Sequence, residues 1–68
     1  MNEFLSVYKA NEWIEFVISF IEYPIGFSKE DWSDWHPRLI NACRVTTDAE
    51  LRMQGLNAVP LFNKRYYS

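Results

Sequence analysis

Residues Trp13–Tyr23 read WIEFVISFIEY, with Asn11-Glu12 before them and Pro24 after. Eight of these eleven residues are apolar or aromatic. Counted from Glu12, the polar members are Glu12, Glu15, Ser19 and Glu22. Steps of three, four and three are the spacing of one face of an α-helix. At roughly 100° per residue, that polar stripe covers only about 80° of the circumference. An ordinary surface helix shows the opposite balance. The segment is therefore expected to be a helix covered on two sides, by its own chain or by a second copy. A strand is the competing reading, since Ile14, Phe16, Ile18 and Phe20 alternate. The opposite strand face would mix Glu15 and Ser19 with Val17 and Ile21, so the helical stripe is the cleaner pattern. Pro24 and Gly26 end the element in either case.

A chain of 68 residues makes one domain. A domain this small buries only about 60% of its unfolded surface, so it needs a disulfide, a metal, association or a dense core. One cysteine, Cys43, rules out an internal disulfide. Cys43 and His36 alone cannot supply the four ligands of a structural zinc site. Aromatics make up 18% of the chain, enough for a tight core, a sticky interface or both.

Net charge is −2, so the chain as a whole is not a polybasic nucleic-acid binder. Residues 1–50 hold four basic and nine acidic side chains, while residues 51–68 hold Arg52, Lys64 and Arg65 and no acid. The positive tail either folds back on the acidic helix or offers a basic contact surface. The start Met1-Asn2-Glu3 carries no secretory pattern, and the apolar run is too short and too acidic to span a bilayer. A cytoplasmic, stand-alone product without membrane contact is the expectation.

Along the chain, residues 3–9 suggest a first short helix, with a restart at Asn11 as N-cap for a helix over 12–22. Ser28 and Asp31 fit a capping box, and Phe27 and Trp32 fit a hydrophobic staple. Trp32, Trp35, His36, Leu39, Ile40, Ala42 and Cys43 then share one side of a wheel, which predicts a helix over 29–44 kinked at Pro37. Thr47 and Glu50 form a second capping box, and Gly55 reads as the C′ residue of a helix over 48–54, with Leu56 meeting Leu51. Residues 57–68, interrupted by Pro60, read as an extended tail. The expected fold is a mainly α, three- to four-helix single domain. A small α+β fold, with residues 13–23 and the tail as strands, is the alternative.

The sequence carries no catalytic, metal, nucleotide or cofactor signature. His36 reads as a structural histidine and Cys43 as a buried, inert thiol. Trp32 and Trp35, three apart on one helix face, are either core or aromatic anchors for a partner. Glu12, Glu15 and Glu22 form an acidic row without basic residues at i+4. Lys64-Arg65-Tyr66-Tyr67 pairs charge with aromatic faces. Taken together, these residues suggest a non-enzymatic factor that binds a larger protein, of inhibitor, antitoxin, immunity or phage or plasmid anti-defence type. The alternative is a nucleic-acid accessory protein acting through the basic tail. A homodimer through the surplus apolar surface of Trp13–Tyr23 is also expected.

Overall fold

Ser6 opens the first helix. Its backbone is extended, and its hydroxyl accepts the Lys9 N–H at 3.2 Å. A cap of this kind satisfies one of the four orphan donors of a helix start. The computed structural model describes residues 5–67 and builds them as α1 (Val7–Glu22), α2 (Lys29–Val45) and α3 (Ala49–Tyr67). Among the described residues there is no strand, so the ribbon reading of residues 13–23 and of the tail is corrected.

The two short N-terminal helices are one. α1 runs through Asn11 without a restart, and the beginning of the expected helix 3–9 lies outside the described residues. Asn11 has a different task. Its side-chain oxygen accepts the hydroxyl of buried Thr46, and that hydroxyl in turn accepts the Asp48 N–H at 3.1 Å. A cap-type residue in mid-helix is explained by this tie to the α2–α3 connection. Buried Ala10, Ile14 and Val17 form the inner stripe of α1.

Pro24 and Gly26 do end α1. The Pro24 carbonyl accepts the Phe27 N–H at 3.0 Å, and Gly26 sits at φ +80°. A positive φ at the third position is what a type II turn demands, and glycine adopts it without strain. The capping box follows as read: Ser28 Oγ accepts the Asp31 N–H at 3.2 Å, and Asp31 accepts the Ser28 N–H at 3.1 Å.

α2 passes through Pro37 as one helix to Val45. A proline in a helix removes one donor and frees the carbonyl four residues earlier, here Ser33. Ser33 is exposed, so solvent can reach that carbonyl. His36 Nδ1 lies 3.1 Å from the Trp32 carbonyl, so that ring nitrogen carries the proton.

The largest correction concerns the C-terminal third. The helix does not stop at Gly55, and residues 57–67 are not an extended tail. α3 is one helix through Gly55 and Pro60. Its cap is Asp48, whose carboxylate accepts the Leu51 N–H at 3.0 Å, and not the expected Thr47–Glu50 box. Leu56 is 47% exposed rather than folded onto Leu51.

Gly55 is buried where the three helices converge. A Cβ there would stand 2.6 Å from Cys43 Sγ and 3.1 Å from Ile14 Cγ2. The glycine is present for close approach, since its φ is not positive. Leu51, Gly55, Ala58 and Phe62 form the inner stripe of α3. Trp32 and Phe62, both fully buried, pack with tilted rings and centroids 4.8 Å apart, and Phe27 stacks on Phe62 at 5.1 Å. The Trp32 indole N–H donates to Asn63 Oδ1 at 2.9 Å, which ties α2 to α3.

Two arginines of α3 finish the other helices. Arg52 donates to the carbonyls of Cys43, at 2.9 Å, and Thr46, at the end of α2. Arg65 donates to the carbonyls of Phe20 and Ile21, at 3.1 and 3.2 Å, at the end of α1. The last carbonyls of a helix lack internal donors and carry partial negative charge, so a cation is favoured there.

Candidate interaction surface

The molecule is only 18 Å through its thinnest dimension. That is less than two helix diameters of about 10–12 Å each, so every helix keeps an outer face. α1 is covered on two flanks by α2 and α3. What it leaves outside in the stretch 13–23 is Glu15, Phe16, Ser19, Glu22 and Tyr23, with Glu12 just before. The acidic row therefore stands as a ridge along α1.

A groove flanks the ridge on each side. Between α1 and α2 lies one of about 500 Å³, lined by Leu5, Lys9, Glu12, Trp13, Phe16, Arg38 and Asn41. Beside it the Trp13 indole nitrogen is buried with no hydrogen-bond partner. The second groove, about 430 Å³, runs between α1 and α3. Ile18, Ile21 and Leu61 line its floor and wall, and Glu15 and Glu22 stand on its rim. Phe16 is 47% and Tyr23 71% exposed.

The aromatic residues divide. Trp32 lies wholly inside the core, where no partner reaches it without unfolding. Trp35 is half-buried in a ring cluster, 5.5 Å from Trp13, 5.7 Å from Phe16 and 5.4 Å from Phe27. His36 packs on the Trp32 ring at 5.4 Å, with Nδ1 occupied by the backbone. Cys43 is buried, and burial pushes its thiol pKa up, with the Arg52 charge a smaller opposing influence.

The basic, tyrosine-containing end is folded onto the body. Arg65 is held by α1 carbonyls, and its guanidinium lies over the Phe62 and Tyr66 rings. The Tyr66 hydroxyl donates to the Phe27 carbonyl at 3.0 Å. Lys64 is exposed, and Tyr67 lies under the Lys29 ammonium at 5.8 Å. Among the described residues no cluster of three or more His, Cys, Asp and Glu is placed to hold a metal ion, and no helix is long and apolar enough to cross a membrane.

No protein-family model matches this chain, and neither the curated proteins nor the solved structures contain a match to it.

The surface residues missed in the sequence are Phe16, Tyr23 and Leu61. Phe16 falls beside the Glu12–Glu15–Ser19 stripe, which could have marked it as outward. Leu61 was hidden by the reading of its segment as a tail.

Proposed function

We propose that this chain acts by binding a larger protein through the α1 ridge, as a non-enzymatic factor of inhibitor, antitoxin, immunity or anti-defence type. The observation that supports this reading is the exposure of Glu12, Glu15 and Glu22 along one helix, with apolar grooves on both flanks. Acids give electrostatic steering towards a basic partner, and partly exposed rings give the anchoring contact area. Phe16 and the half-buried edge of Trp35 serve as anchors in place of Trp32. A row of carboxylates on a helix also offers the spacing of charge that a basic nucleic-acid-binding surface accepts.

The test is charge reversal at Glu12, Glu15 and Glu22 together, with binding measured against the partner captured by the unaltered chain. Loss of binding with the helix signal intact supports the reading, and unchanged affinity removes it. The nucleic-acid alternative rests on less, because exposed Arg65 and half-buried Tyr66 are tied to the carbonyls of Phe20, Ile21 and Phe27, and Lys64 and Tyr67 would carry it. A gel shift at low salt that weakens steeply as salt rises is what it requires.

A further inference from the structure

Of the two grooves beside the α1 ridge, one is mixed in charge and the other is not. The α1–α2 groove sets Lys9 and Arg38 beside Glu12. The α1–α3 groove is lined by two acids, Glu15 and Glu22, and by no basic residue. Its floor is apolar: Ile18 and Ile21 pack against the core, and Leu61 forms the α3 wall, 52% exposed. Gln54 and Asn57 continue that wall without charge. At the end of α1, Tyr23 offers an exposed ring beside Glu22. An aromatic face attracts the same cations that a carboxylate does. The groove is thus an apolar stripe with negative charge along its α1 side.

Glu15 and Glu22 are seven residues apart on one face, two turns or about 10.5 Å along the axis. A partner helix lying along α1 repeats at the same interval. It brings Lys or Arg residues seven apart to both carboxylates while its own apolar stripe enters the groove. Other occupants fit less well. An extended peptide finds no sheet edge to pair with among the described residues, and Arg65 already takes the Phe20 and Ile21 carbonyls. A small molecule would lie in a groove open on its outer side, whereas such sites bury about 70–90% of their ligand. A second copy meeting the groove through its own α1 would bring acid to acid.

The geometry points to the α1–α3 groove as the seat of a basic amphipathic helix of the partner protein, which completes a four-helix bundle and pairs Lys or Arg residues seven apart with Glu15 and Glu22. This rests on the ridge reading above and narrows it to one groove, one kind of partner element and two of the three acids.

Selection from a displayed library of helical peptides, with the full chain as bait, tests this without knowledge of the partner. The peptides that enrich carry an apolar stripe flanked by Lys or Arg seven apart, and they shift the backbone resonances of Ile18, Ala58 and Leu61. Leu61→Lys, at an exposed position, lowers their affinity by about tenfold or more, and so does Glu15→Lys with Glu22→Lys. Peptides with Glu in place of the two bases bind that double variant, which no general loss of folding would allow. Glu12→Lys, in the other groove, changes affinity by less than about twofold. Circular dichroism confirms that each variant keeps its helices. A library that yields no binder overturns the inference, as do enriched peptides without the basic pair or resonance shifts confined to the α1–α2 groove. Shifts at Ile18 and Leu61 on concentrating the chain alone would assign the groove to a second copy and overturn it as well. The broader reading is judged separately: if reversal of all three acids abolishes partner binding while Leu61→Lys leaves it intact, the ridge stands and the groove assignment falls.

Discussion

Gly55 of α3 is built against the sulfur of Cys43 in α2: a Cβ at position 55 would lie 2.6 Å from Cys43 Sγ, well inside contact distance. Position 55 thus faces two opposing effects. Alanine is favoured over glycine in a helix by about 1 kcal/mol. Overfilling a packed core costs typically 1–3 kcal/mol. Ile14 Cγ2 at 3.1 Å blocks the other side, so the core has little room to give. Gly55→Ala is expected to destabilise the chain by up to about 2 kcal/mol net. The sharper readout is a cycle with Cys43→Ala, which removes the sulfur. The added methyl then enters vacated space, and the two changes together cost less than their sum by about 1 kcal/mol or more. Urea unfolding of the four proteins checks this.

The Cys43 thiol makes a separate prediction in alkali. Burial raises its pKa above the ordinary 9.0. A raised pKa means that the fold prefers the neutral thiol. The stability this contributes is fully present below pH 9.0 and is lost as pH rises through the higher folded value. The stability of the unaltered chain is therefore expected to fall more steeply above that pH than that of Cys43→Ala. Parallel stability profiles from neutral to alkaline pH would show that the thiol is not linked to folding.

Trp32 and Trp35 look equivalent in sequence and separate in the fold. Replacing a fully buried Trp with Ala costs about 3–5 kcal/mol, as much as a core of this size commonly supplies. Trp32→Ala is expected to leave the chain largely unfolded at 25 °C. Trp35→Ala, on the half-buried edge, keeps a cooperative transition at reduced stability. Circular dichroism against urea distinguishes the two. A folded Trp32→Ala chain would place Trp32 outside the core.

Arg52 and Arg65 are expected to stabilise unequally. Both close a helix end, but Arg52 is half-buried and Arg65 is exposed. Hydrogen bonds from a charged donor contribute about 1.5–3 kcal/mol when shielded and less in water. Arg52→Ala is expected to cost about 1–3 kcal/mol and Arg65→Ala roughly 0.5–1 kcal/mol. Lysine at 52 recovers only part, because a point charge cannot bridge the Cys43 and Thr46 carbonyls as the fork does. Thermal or urea midpoints in that order check the assignment.

The parts of the fold that could be read from the sequence are those governed by local rules. The acidic spacing of α1, the Pro24–Gly26 turn and the Ser28–Asp31 box depend on neighbours within four residues, and they stand as read. Asn11, Gly55 and Pro60 depend on distant contacts, and each misled. Asn11 has the chemistry of a cap but serves Thr46, thirty-five residues away. Gly55 resembles a helix stop but provides close approach. The inner stripe Leu51, Gly55, Ala58 and Phe62 has helical spacing, but two of its four members are too small to register as apolar in a pattern search. Pro60 argues against a helix locally, yet the carbonyl it frees belongs to exposed Leu56, which solvent can reach. The division of the tryptophans follows from helix packing, which no single segment encodes.

The groove between α1 and α3, and the cover that Ala58 and Phe62 give the core, depend on residues 49–67 forming one helix. Backbone chemical shifts by NMR test that most directly. The account predicts an unbroken helical run from Ala49 through Gly55 and Pro60 to Tyr67, with a contact between the Gly55 Hα and Cys43 side-chain protons. Extended or averaged shifts beyond Gly55, without that contact, would contradict it.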